Sequence, residues 1–190
     1  MIKIESLKNY IGLLSEEDFM KLSNQIYQIN LDFNDYPKQK EWYLKKQLPG
    51  IITDERDILF VKNPKNSNEI IAVACLKRTY EERKICMLYV CEKYRHQGIG
   101  IKILEEAMIW LGTTKPLITF ADYKLEMFKP IIKKYEWQLV EVVEDFYNKH
   151  SKELCFNGTL SKQNISKKDL YKRLVKVFKH REKQLINNNI

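Results

Sequence analysis

Six consecutive residues, Arg95-His96-Gln97-Gly98-Ile99-Gly100, carry the clearest chemical signal in this 190-residue chain. An apolar, β-rich run over Lys84–Cys91 leads into them, and a helical pattern begins within them. Glycines at a strand-to-helix junction let backbone N–H groups approach an anion closely, with no Cβ in the way. A helix N-terminus adds unpaired donors and roughly half a positive charge. Arg95 adds charge-assisted hydrogen bonds. The chemistry that suits this spacing is the binding of a pyrophosphate. The run is neither the dinucleotide G-x-G-x-x-G nor a P-loop, because no Gly-Lys-Ser/Thr follows.

Other chemistries find less support. Cys75, Cys86, Cys91 and Cys155 form no C-x-x-C pair, and His96, His150 and His180 are scattered, so no metal site is expected. The cysteines read as free thiols in apolar segments of a protein from a reducing compartment. No uncharged apolar run approaches the roughly 18 residues that span a bilayer. The first residues meet acids early and lack a long apolar core with a cleavage site, so a cytoplasmic location and no membrane partner are expected.

The elements that must position the loop follow from periodicity. Met1–Glu5 reads as a short strand. Ser15 caps a helix whose first turn is acidic and whose Phe19, Leu22, Ile26 and Ile29 fall at helical spacing. A second helix over 38–47 is closed by Pro49-Gly50. Ile58–Val61, Ile70–Lys77 and Lys84–Cys91 read as three strands. Gly98–Leu111 is a helix with Ile99, Ile103, Leu104, Ala107 and Leu111 on one side. Lys115–Ala121 is a central strand, Asp122–Tyr135 a helix, and Trp137–Phe146 and Glu153–Leu160 the last strands. The order β-αα-βββ-α-β-α-ββ predicts a mixed α/β (α+β) sheet fold, not a doubly wound one.

The strand, the R-x-x-G-x-G turn, the amphipathic helix and this element order together resemble the GNAT acetyltransferase superfamily over residues 1–160. Arg95, Gly98 and Gly100 match its Q/R-x-x-G-x-G/A motif. The resemblance implies a mostly antiparallel sheet flanked by helices, with acetyl-CoA as co-substrate. It implies that the amides of the loop, from Arg95 through His96, Gln97, Gly98 and Ile99 to Gly100, hold the pyrophosphate. It also implies that Leu88, Tyr89 and Val90 run beside the pantetheine, where the fourth and fifth strands splay apart. The reaction implied is N-acetylation of a primary amine on a small molecule or a protein. An amine of pKa ~10.4 is neutral about once in 2,500 molecules at pH 7, roughly 4.6 kcal/mol against attack, so its proton must be removed.

The sequence departs from the family pattern where that proton would go. The usual general-base glutamate is replaced by Lys84, with Glu81 and Glu82 just ahead of it; either could act through water or simply belong to a solvated hairpin. The usual tyrosine acid is Ile132, and Tyr123 after the fifth strand is the alternative. Acids and aromatics alternate among Asp32, Phe33, Asp35, Tyr36, Trp42 and Tyr43, which suits a cationic acceptor as well as a polar turn beside core aromatics.

The charge is uneven. Residues 161–190 hold seven lysines and two arginines against Asp169 and Glu182, a net +7 of the chain's +8. Leu170, Leu174, Phe178 and Leu185 form a stripe along a helix there, which docks on the domain or on a twin subunit. Its basic face could instead meet nucleic acid or an acidic partner. Residues 1–160 are therefore expected to be the catalytic domain and 161–190 a basic appended helix. Two rivals remain: an acetyltransferase for an RNA-linked amine such as aminoacyl-tRNA, and a non-catalytic CoA-binding module.

Overall fold

Alternation of apolar residues along the strands sorts them onto two faces of one sheet. The strands are β1 (Ile4–Ser6), β2 (Arg56–Asn63), β3 (Asn66–Arg78), β4 (Arg83–Val90), β5 (Leu117–Ala121), β6 (Leu139–Glu144) and β7 (Lys152–Phe156). In this computed structural model they lie in the order β1-β2-β3-β4-β5-β7-β6. Every pairing is antiparallel except β4 with β5. The structure describes residues 2–29, 36, 38–147 and 149–160. The helix read within 161–190, the division of the chain there, and Asp32, Phe33 and Asp35 lie outside the described residues.

The two faces bury separate cores. Leu59 and Val61 of β2 and Ala72, Ala74 and Leu76 of β3 pack under α4 (Ile99–Leu111) and α5 (Leu125–Tyr135). Their alternates Ile58, Phe60, Val73 and Cys75 face α1 (Glu16–Gln28) and a helical segment made of α2 (Gln39–Trp42), a π-helical turn (Tyr43–Gln47) and α3 (Leu48–Ile52). The five α4 residues predicted to share one face are all buried, together with Met108. Ser15 caps α1 as expected, its side chain accepting from the Asp18 N–H at 3.1 Å.

Pro49-Gly50 does not close the second helix. Pro49 lies inside a continuous helical segment, directly after the π-helical turn, and the helix runs on to Ile52. Tyr43, read beside the candidate acceptor aromatics, is core: it is buried and hydrogen-bonded to the Ser23 carbonyl at 3.0 Å.

The far side of the sheet is held by three rings. Phe120 of β5 stacks on Phe128 of α5 at 4.2 Å and on Phe156 of β7 at 5.4 Å. Phe156 is 4% exposed. Removing such a ring from a packed core costs about 3–5 kcal/mol. Phe156→Ala is therefore expected to lose that much in urea unfolding with an unchanged m-value; a loss below about 1 kcal/mol would show that the stack does not hold these strands together.

Candidate active site

The site begins at an interruption of the sheet. Cys75 pairs with Met87 but Leu76 pairs with Ile85, so Cys86 is an extra residue, a bulge in β4. A bulge bends its strand and increases the local twist. β4 and β5 are in register only at Lys84/Leu117 and Ile85/Ile118, and no ladder joins them beyond that point. The gap opens into a cavity of about 720 Å³, within the ordinary range of small-molecule and cofactor sites.

One end of the cavity is the loop before α4. Gly98 takes the helix N-cap position at φ 75°, and His96 is also left-handed at φ 61°. The first helical hydrogen bond onto this turn runs from Lys102 N to Gly98 O at 3.2 Å. The N–H groups of Ile99, Gly100 and Ile101 come before it and have no carbonyl one turn back to meet. No atom lies within 4 Å of where a Cβ on Gly98 would sit, and a Cβ on Gly100 would lie 3.5 Å from Val90. This is an open cradle of amides at a positive helix end, and it fits a phosphate.

The predicted cofactor residues divide by side-chain direction. Leu88, Tyr89, Val90, Arg95, His96, Gly98 and Gly100 line the cavity. The Ile99 side chain enters the core, and Gln97 instead donates to the Lys93 carbonyl at 3.2 Å. Arg95 holds the loop's shape: its Nε donates to Val90 O at 3.1 Å and its Nη1 pairs with Glu92 at 3.3 Å.

Among the three candidate catalytic side chains, Glu82 lines the cavity, where it pairs with Lys77 at 2.6 Å. Glu81 is exposed on the hairpin turn, and Tyr123 is 63% exposed just past β5; neither belongs to the cavity wall. Ile132, at the family's tyrosine position, packs against the core.

Several wall residues carried no signal in the sequence. Tyr147, in the connection between β6 and β7, lines the cavity and stacks edge-on against Tyr36 at 4.8 Å. Burial, with Glu153 nearby, pushes its phenol up to about 12, so it stays a hydrogen-bond donor. Cys86 also lines the wall, but burial pushes its thiol up and leaves it a poor nucleophile. Among the described residues no cluster of His, Cys, Asp and Glu could hold a metal, and no helix is long and apolar enough to cross a membrane.

Glu153 of β7 lies beside the wall and is 3% exposed. Its Oε1 is buried without a hydrogen-bond partner, while the carboxyl group is supported by Thr119 and Tyr36, which both line the cavity. Burial raises its pKa, opposed by the Thr119 hydroxyl and the charges of Lys124 and Lys84.

A model of the acetyltransferase (GNAT) family matches residues 20–115, half of the chain. The chain belongs to this family, and its class is therefore acyltransferase. No curated sequence matches it. Among solved structures it is similar to the ribosomal-protein-S18-alanine N-acetyltransferase of Escherichia coli, at TM-score 0.60 and 13% identity over 86% of this chain and 98% of that one. It is also similar to GNAT acetyltransferases of Streptococcus pneumoniae (TM-score 0.56, 13% identity, 82% and 97% covered) and Bacillus cereus (TM-score 0.56, 15% identity, 82% and 95% covered). These likenesses show the fold.

The Glu153 shift has a defined sign in stability. A carboxyl whose folded pKa is raised binds its proton more tightly folded than unfolded, so its contribution falls as pH rises from the unfolded value toward the folded one. Glu153→Gln removes that fall. The variant is expected to match the wild type near pH 4 and to melt higher above the window; equal melting at every pH would show that the buried carboxylate carries no such cost.

Proposed function

We propose that the protein is an acetyl-CoA-dependent N-acetyltransferase acting on a primary amine of a small molecule. The observation that carries this reading is the gap between β4 and β5, which ends at an amide cradle on the α4 N-terminus. The N–H groups of Ile99, Gly100 and Ile101 would hold the pyrophosphate, with Arg95 and His96 beside it. Leu88, Tyr89 and Val90 would flank the pantetheine arm. When bound, acetyl-CoA supplies an activated thioester acetyl group.

The chain's own residues would then manage two protons. The acceptor ammonium loses one before attack; the second leaves the nitrogen as the N–C bond forms and the C–S bond breaks, and it neutralises the departing thiolate. Glu82, on the cavity wall, takes the amine proton through water; Glu81 faces away. Tyr147, a phenol on the cavity wall, is a candidate hydrogen-bond donor to the departing sulfur. Ile118, Phe120 and Phe128 give this part of the cavity an apolar wall.

Two measurements test this reading. Gly98→Asp puts a negative charge in the cradle at a position with room for it, and Asp is among the residues that tolerate a left-handed backbone. Acetyl-CoA binding by calorimetry should disappear while a cooperative thermal transition remains, somewhat lowered by the left-handed φ; unchanged affinity would remove the basis of the assignment. Glu82→Gln should lower turnover by roughly 10²–10⁴-fold, the usual size of general-base catalysis. Glu81→Gln should stay within threefold of wild type, and equal losses in both would exclude Glu82 as the specific proton acceptor.

A further inference from the structure

Three cations stand in one line across the end of the cavity opposite the amide cradle. Arg56 on β2 is directly opposite Lys77 on β3, and Lys77 is directly opposite Lys84 on β4. Directly opposed residues project from the same face of a sheet, and all three line the cavity. Like charges placed this way repel and weaken the sheet. Lys77 is paired with Glu82, and the charge of Lys84 acts on the buried Glu153 carboxyl; among the described residues no ion pair joins Arg56 or Lys84.

Arg56 is built into the wall. Its Nη1 donates to Gln47 Oε1 at 3.1 Å and lies 3.7 Å from Cys86 Sγ, and its guanidinium sits 5.9 Å from the Trp42 ring centre. Gln47 is itself buried and donates to the Asp57 carbonyl at 2.8 Å. A Cβ on Gly50 would come within 2.5 Å of Arg56 Cδ, so glycine there is what lets the stem pass. A planar guanidinium held this way is set to receive a carboxylate or phosphate. Lys84 lies close enough that its charge, like that of Arg56, favours the thiolate of Cys86.

A row of cations that repels itself and is short of counter-ions is completed by an anion. The partner strand covers the span from Lys84 to Val90 in five residues, Lys77 to Ala72, about 17 Å, so this anion is separate from the one the cradle holds. We propose that the acceptor is a small primary amine bearing a carboxylate or phosphate group, and that Arg56, Lys77 and Lys84 bind that group. The inference rests on the acetyltransferase reading above. It opposes the cationic acceptor that the acids and aromatics around Tyr36 suggest in the sequence.

Matched amines decide it: ethanolamine against O-phosphoethanolamine, propylamine against β-alanine, and cadaverine against 6-aminohexanoate, each followed as kcat/KM with acetyl-CoA. The anionic member of each pair should lead by at least tenfold, Lys84→Gln should cut that lead at least fivefold, and Lys84→Glu should reverse it. Equal or better turnover of the neutral and cationic members would overturn the proposal. If acetyl-CoA binds but no amine is acetylated, transfer to such acceptors is what fails. The anion site is then read from calorimetric titration of inorganic phosphate into protein saturated with CoA. A saturable site weakened at least tenfold by Lys84→Gln upholds anion binding by the row while the acceptor claim falls, and no site, or one indifferent to Lys84→Gln, overturns both.

Discussion

Two registers of parallel ladder between β4 and β5, and no more, set up everything else in this molecule. A strand pair that continued to Val90 and Ala121 would leave no space in the sheet. The bulge at Cys86 turns β4 away, and each strand then relies on its other neighbour. β4 stays on β3 through Val90, and β5 stays on β7 over Ile118–Ala121. The lost ladder is offset on the helical side by Phe120 against Phe128 and Phe156, and by the buried stripe of α4. The end of β4 is pinned by the Cys91 N–H donating to Ile71 O at 2.9 Å, which delivers the following loop and the α4 N-terminus to the mouth of the gap.

What could be read in the sequence was local. The glycines at 98 and 100, the spacing of Ile99, Ile103, Leu104, Ala107 and Leu111, and the Ser15 cap each depend on neighbours within one or two turns, and each matches the structure. The end of the cavity opposite the cradle could not be read this way. Arg56, Lys77 and Lys84 are ordinary charges near strand ends until the registers of two strand pairs place them side by side. Tyr147 looked like part of a connection, and Glu153 like one more residue of an alternating strand. Their meaning comes from a cavity that no short window contains. Pro49 does not end its helix for a related reason: a π-helical turn lies directly before it, and the helical segment continues through the proline.

The two ends of the cavity use different kinds of positive charge. At the α4 end the charge belongs mostly to the backbone, in N–H groups and the helix dipole, and needs two left-handed residues to aim it. At the other end it belongs to the side chains of Arg56, Lys77 and Lys84. The carboxyl groups are fewer and constrained: Glu82 is tied to Lys77, and Glu153 is buried with one oxygen unmet. A buried, incompletely satisfied acid is costly to a fold, and its neighbours Thr119 and Tyr36 transmit its presence to the cavity surface.

The contrast between the two ends bears on how such a protein can diversify. The cradle is a property of backbone torsions at 96 and 98, so one substitution there can abolish it, but only a rebuilt turn could reshape it. The cation row hangs from strands whose ladder hydrogen bonds are main-chain, and a codon change at 77 or 84 leaves every rung in place. Gly50 is the exception, because a single methyl there would dislodge Arg56 without touching the strands. Selection can therefore retune what enters beside Lys84 while inheriting the amide cradle unchanged.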